Sequence, residues 1–252
     1  MELGMHGCVA LVTGAAGGIG RAVGHALAAE GVKVALADRD AAGVAAAVAA
    51  IIACGGEASG VVVDVTDETQ VDAAVTEIVK RLDGIDLLVS CAGISGPMGT
   101  SLGDTMLADW ERVFAVNVTG GFLVLRAALP WLRRSAAASV VFIASDSALV
   151  AADGMAPYCA SKAAVVQFAR AAAVELAPEG IRVNALCPSI VDTPLSRTDL
   201  ALPSFDGVSY PVQSAAEVAY QVAVLCSPRS RPMNAAVVVS DFGYSARSGF
   251  PA

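Results

Sequence analysis

Tyr158 and Lys162 stand four residues apart in Tyr158-Cys159-Ala160-Ser161-Lys162, a spacing that puts both side chains on one face of a helix. A phenol has an ordinary pKa of ~10 and is a poor base at neutral pH, and an ammonium beside it favours the phenolate. The pair therefore reads as a proton-transfer device, with Tyr158 as acid or base and Lys162 as the charge that tunes it. Alone, it reads equally as an ordinary surface pair. Two other polar residues join it. Ser145 ends a predicted strand thirteen residues before Tyr158, where a hydroxyl can hydrogen-bond a substrate oxygen. Asn117 falls inside a long predicted helix with Gly120-Gly121 behind it, which points to a local kink and a water-binding role, or to a buried structural amide.

A second constellation lies near the N-terminus. The apolar run Cys8–Val12 leads into Thr13-Gly14-Ala15-Ala16-Gly17-Gly18-Ile19-Gly20 and then into a predicted helix. In a strand, Gly-rich turn and helix, backbone N–H groups at the positive helix end can approach a pyrophosphate. Asp38 closes the next predicted strand, where a carboxylate accepts from ribose hydroxyls and repels a 2′-phosphate. It points to NAD over NADP, and Arg39, able to neutralise a phosphate, points the other way. Asp64-Val65 ends the third strand on the same edge. Asp64 can accept from an adenine amino group or cap the helix starting near Asp67, a role Thr66 or Asp67 fills unaided.

The elements that must position these residues are legible as an alternation. Predicted strands lie at Cys8–Val12, Lys33–Ala37, Gly60–Val63, Leu87–Ser90, Ser139–Ala144, Arg182–Leu186 and Ala236–Val239. Helices are predicted near Gly18–Glu30, Ala41–Ala53, Glu68–Leu82, Met106–Arg133, Pro157–Ala177 and Ala215–Cys226. Several strands are apolar throughout, as strands buried on both faces of a parallel sheet must be. The pattern predicts one α/β domain over residues 1–252: a doubly wound, mainly parallel seven-stranded sheet flanked by helices, Rossmann-like. Thr193–Gln213 is the one long irregular stretch, and a loop of that length in a compact domain is usually functional.

Composition excludes other classes. A net charge of −8 argues against a nucleic-acid surface, and Arg133-Arg134 reads as a helix-end pair complementing the dipole. Hydrophobic residues form 56% of the chain, but the apolar runs are short or broken by Gly, Pro or charge, so no membrane span is expected. Met1 to Gly7 has no basic start or cleavage pattern, and a cytoplasmic protein is expected. Six scattered cysteines without a C-x-x-C pair, and only two histidines, predict no metal site.

Taken in order, these pieces resemble the compact, single-domain branch of the short-chain dehydrogenase/reductase family over essentially the whole chain. The resemblance rests on the T-G-x-x-x-G-I-G turn at Thr13–Gly20, Asp64-Val65, Cys91-Ala92-Gly93, Asn117, Ser145, Tyr158, Lys162 and the segment at Pro188. Gly14, Gly17 and Gly20 also fit the spacing of the family's longer branch, which normally carries a further C-terminal domain. The resemblance implies an NAD(H)-dependent oxidoreductase interconverting a secondary alcohol and a ketone. Tyr158 would be the acid/base, and Lys162 would lower its pKa and hold the nicotinamide ribose. Ser145 would polarise the carbonyl, and Asn117 would hold a water linking Lys162 to solvent. Gly14, Gly18, Ile19, Gly20, Asp38, Asp64, Val65, Cys91, Ala92, Gly93, Pro188, Ile190 and Thr193 would contact the cofactor. Residues 193–213 would form a substrate lid.

The chain departs from the family pattern at Ser90-Cys91-Ala92-Gly93 for N-N-A-G, at Pro188-Ser189 for P-G, and at Asp241-Phe242-Gly243 for D-G-G. The apolar residues expected at the substrate wall are Met98, Leu149-Val150, Leu195, Leu200, Leu202, Pro203 and Phe205, which favours a small, largely apolar substrate. Arg197 is a weak pointer to an anionic group. Alternatives are an NADP(H)-linked carbonyl or 3-oxoacyl reductase, supported by Arg39, and a cofactor-binding protein without turnover. The set Ser145, Tyr158 and Lys162 counts against the latter. In similar proteins the helix carrying Tyr158 packs between subunits. Ala163, Ala164, Ala169 and Ala171–Ala173 would allow that approach here, so a homotetramer is expected.

Overall fold

The computed structural model describes residues 2–247; Met1 and residues 248–252, inside the expected domain 1–252, lie outside them. Seven parallel strands form one sheet. In chain order they are β1 (Val9–Thr13), β2 (Lys33–Asp38), β3 (Ala58–Val62), β4 (Leu87–Ser90), β5 (Ser139–Ile143), β6 (Arg182–Pro188) and β9 (Val237–Ser240). Their spatial order is β3-β2-β1-β4-β5-β6-β9. The two-residue strands β7 (Val191–Asp192) and β8 (Gln213–Ser214) pair separately and were not expected from sequence.

Alternate strand residues enter opposite cores, which is why the strands are apolar throughout. Leu11, Ala35, Leu88, Val140 and Phe142 join one core with residues from α3 (Glu68–Leu82), α5 (Gly121–Leu132) and α6 (Ala156–Leu176). Val12, Val34, Leu36, Val89 and Val141 join the other, with α1 (Gly18–Ala29), α2 (Ala41–Ala53) and α8 (Ala215–Cys226). Helices on both faces of a parallel sheet make this a doubly wound, Rossmann-like fold. Chain order reverses between β1 and β4, and the crevice at the carboxyl ends there is where such sheets bind ligands.

The helix expected over Met106–Arg133 is a continuous run of three parts: α4 (Leu107–Phe114), a π-helical segment (Ala115–Gly120) and α5. The irregularity expected at Asn117 is thus a π segment. The glycines behind it serve close packing: a Cβ on Gly120 would lie 2.7 Å from Val65 Cγ2, and one on Gly121 3.0 Å from Phe142 Cε1. The run Leu107–Leu132 is long and apolar enough to cross a membrane. Here, however, it packs on α3, α6 and β4, and Arg126 on its outer side pairs with Glu68. The stretch expected to be irregular begins with α7 (Pro194–Asp199), which Thr193 caps through a reciprocal bond with Ser196.

Candidate active site

The Gly-rich turn joins β1 to α1 under tight steric limits. Gly14 takes φ +66°, and a Cβ there would lie 2.7 Å from the Ala92 nitrogen; one on Gly20 would lie 2.3 Å from the Gly14 oxygen. A Cβ on Gly18 would meet Thr193 Cγ2 at 2.6 Å, so two residues assigned to the cofactor from distant parts of the chain touch. The α1 N-terminus has no side-chain cap and no acidic residue in its first turn. Its free N–H groups and positive dipole end therefore suit an anion. A glycine cradle at a bare helix start fits a dinucleotide pyrophosphate.

Asp38, at the end of β2, faces this turn. Its Oδ2 accepts from the Ala16 N–H at 3.0 Å and its Oδ1 from the Asp40 N–H at 3.1 Å. Both oxygens retain lone pairs for ribose hydroxyls. Arg39 is exposed and close enough to Asp64 to help hold that carboxyl below its ordinary range, though the first cause is the hydrogen bonds from Thr66. Asp64 Oδ1 accepts from the Thr66 N–H and hydroxyl at 2.9 and 2.8 Å, while Asp67 caps α3. Val65 is buried against Gly120, in the wall behind the expected adenine site. Ala92 donates its N–H to Thr13 Oγ1 at 3.4 Å, joining the turn to the loop after β4.

Tyr158 and Lys162 lie on the first turns of α6 and line one cleft of about 480 Å³ with Ser145, Cys91, Gly93, Ile19, Pro188, Ile190 and Thr193. The Lys162 ammonium is 5.6 Å from the Tyr158 ring centroid and donates to the Ile143 carbonyl at 3.0 Å. A Cβ on Gly93 would lie 3.4 Å from Lys162 Nζ and 3.3 Å from Asn117 Oδ1, so the loop after β4 packs directly against both side chains. The Ser145 hydroxyl donates to Asp146 Oδ1 at 3.1 Å and accepts from the Ser147 N–H at 3.1 Å.

Asn117, placed by the π segment, has its amide occupied by protein. Oδ1 accepts from the Ile94 N–H at 2.8 Å, and Nδ2 donates to the Ile94 carbonyl and Ser161 Oγ, both at 2.9 Å. The Asn117 side chain thus ties α6 and the loop after β4 together.

The electrostatics differ from the sequence expectation. Burial pushes the Tyr158 phenol up to about 12; the Ser145 hydroxyl opposes this, while Asp146 and Asp199 add to it. Burial lowers the Lys162 ammonium to about 8, with Cys91 and Cys187 nearby acting in the opposite sense. In the protein alone, burial is the first cause of both shifts, and it acts against the charged form of each group.

The apolar wall is also partly redrawn. Met98, Val150, Leu195 and Leu200 line the cleft, whereas Leu149, Leu202, Pro203 and Phe205 do not. Arg197 is outside the lining, and its exposed guanidinium makes a two-pronged pair with Asp192 at 2.6 and 2.9 Å. Sequence reasoning missed several polar lining residues, Asp146, Ser95 and Asp199 among them. Asp146 was visible beside Ser145, but Ser95 and Asp199 are 104 positions apart and meet only in the fold.

Comparison with known proteins agrees with this geometry. The family model for short chain dehydrogenases matches residues 8–201. The chain belongs to the short-chain dehydrogenase/reductase family. Among curated members, it is 33% identical over 246 residues to the D-threitol dehydrogenase of Mycolicibacterium smegmatis, covering 96% of this chain and 94% of that one. It is 37% identical over 246 residues to the 2-(R)-hydroxypropyl-CoM dehydrogenase of Xanthobacter autotrophicus, covering 94% and 98%. Among solved structures, levodione reductase superposes with a TM-score of 0.90 at 35% identity, covering 96% of this chain and 99% of that one. This family member is an oxidoreductase with a Rossmann-like fold for NAD or NADP.

Proposed function

We propose that this short-chain dehydrogenase interconverts a small secondary alcohol and its ketone with NAD(H). The observation carrying the reading is the meeting of Tyr158, Ser145 and Lys162 on one wall of the cleft at the switch point. A bound nicotinamide supplies the hydride or takes it up. In reduction the Tyr158 hydroxyl gives its proton to the ketone oxygen, and in oxidation the phenolate takes it back. With its pKa at about 12, the phenol is stocked with that proton at neutral pH. Ser145 turns its single hydroxyl hydrogen from Asp146 to the substrate oxygen. Lys162, anchored on Ile143, has two further N–H bonds for the ribose and the phenol. With the cofactor bound, a protonated Lys162 would favour the phenolate that oxidation requires.

The turn from Gly14 to Gly20, with Gly18 and Ile19, would hold the pyrophosphate; Cys91, Ala92, Gly93, Pro188, Ile190 and Thr193 would border the nicotinamide end, and Asp64 and Val65 the adenine end. Asp38 selects NAD by accepting from the ribose hydroxyls. Both Nδ2 hydrogens of Asn117 are taken by protein, so a water linking Lys162 to solvent would be held by its remaining Oδ1 lone pair or by the backbone there. Residues 193–213 act as the substrate lid. The two curated relatives are named for a polyol and for a hydroxypropyl compound, which supports a small alcohol substrate. A cytoplasmic homotetramer completes the reading.

The test is Tyr158→Phe, which keeps the ring and removes the hydroxyl. Folding and NADH binding should survive while turnover falls at least about 10²-fold. Near-normal turnover in a folded, cofactor-binding variant would reject Tyr158 as the acid/base.

A further inference from the structure

The cleft contains more acid than the proton transfer uses. Asp146 and Asp199 line it beside Tyr158, and both carboxylates are near enough to raise the phenol's pKa. Asp199 Oδ2 accepts from the Ser95 hydroxyl at 2.5 Å, and Asp146 Oδ1 accepts from Ser145. Among the described residues, neither Asp199 Oδ1 nor Asp146 Oδ2 takes a protein donor. Asp241, the third carboxylate in the lining, accepts one backbone N–H on each oxygen, from Ser245 and Gly243. Lys162 is the one cation among the described lining residues, and it is committed beneath the phenol.

This arrangement discriminates by charge and by hydrogen bonding. A carboxylate or phosphate on the substrate would meet three negative groups with no free cation to receive it. A hydroxyl donor beside the reacting carbon would meet two idle acceptors, and bonds to a charged acceptor are the stronger kind. The position of Asp199 is well determined: Asn117 grips Ile94 from both sides, and Ser95 follows directly and donates to Asp199.

We propose that the cleft selects a neutral substrate with a second hydroxyl next to the reacting carbinol, a 1,2-diol or its hydroxyketone, with Asp199 as the acceptor that sets the preference. The proposal rests on the reading of Tyr158 as the acid/base.

One ring frame tests it: cyclohexanol, 1,2-cyclohexanediol (cis and trans) and 2-hydroxycyclohexanecarboxylate. Dissociation constants are measured on Tyr158→Phe saturated with oxidised cofactor, which separates recognition from turnover, and kcat/KM on the unmodified enzyme. A diol isomer should bind at least about tenfold tighter than cyclohexanol (about 1.4 kcal/mol), and the hydroxy acid at least about tenfold weaker. Introducing Asp199→Asn should narrow both gaps several-fold, and Ser95→Ala, which frees Asp199, should narrow the diol gap. Hydroxy acid binding equal to cyclohexanol, or ratios that Asp199→Asn leaves unchanged, would overturn the proposal. Failure of the acid/base reading would show separately, as turnover surviving in Tyr158→Phe.

Discussion

Lys162 combines near-complete burial with a basic group, and the combination makes stability depend on pH. Burial holds its ammonium at about 8 in the folded chain, against 10.5 ordinarily. Below pH 8 both states are protonated, and the folded state bears the full desolvation penalty. Between about 8 and 10.5 the unfolded chain binds more protons, so this residue's contribution to stability rises with pH. Tyr158, pushed up to about 12, acts only above about pH 10, where folded-state stability is lost as the pH rises toward 12. In the ligand-free protein, Lys162→Met should be more stable than wild type at pH 7, by up to roughly 3 kcal/mol less the lost bond to Ile143. That advantage should shrink by pH 10. Urea denaturation of both proteins at the two pH values measures it, and a difference independent of pH would show that Lys162 is not desolvated as described.

At the scale of elements, the residues expected to hold the cofactor sit mainly where strands end. Asp38 terminates β2, and its contact with Ala16 places the carboxylate against the turn leaving β1. A 2′-phosphate there would lie beside a negative group already held by two backbone N–H bonds. NAD(H) should therefore bind more tightly than NADP(H), and Asp38→Ser should narrow the gap by about tenfold or more, one charge-assisted interaction's worth. Fluorescence titration with NADH and NADPH reads this, and tighter NADPH binding by the unmodified chain would reject the assignment. The loss of one hydrogen bond to Ala16 should also lower stability by about 1 kcal/mol.

For the whole molecule, the outward surface bears on assembly. Ala169, Ala172 and Ala173, which the sequence offered for subunit contact, are buried in this chain's own core. Ala163, Ala171 and Val174, the last 74% exposed, remain outward on α6. The C-terminal side presents Val239, Phe242 and Tyr244 to solvent, and Phe242 takes φ +55° where the family pattern has glycine. Left-handed backbone at a bulky residue costs about 1–3 kcal/mol, and an exposed aromatic held there gains most if another subunit covers it. A tetramer is expected by light scattering, with Phe242→Gly weakening assembly while relieving the strain. A stable monomer at assay concentration would exclude it.

The sequence by itself determined the layered sheet, because strands apolar on both faces can be buried only between two helix layers. It also determined the glycine turn and the pairing of Tyr158 with Lys162, since helical spacing and strand–turn–helix order are local properties. Other features were decided only by tertiary structure. That the irregularity expected at Asn117 is a π segment, and which residues of 193–213 form the wall, depend on how the elements pack. Most of all, the protonation of Tyr158 and Lys162 and the meeting of Ser95 with Asp199 depend on which groups surround them in space. Desolvation and contacts across 104 residues have no local signature, so no reading of residue spacing could supply them.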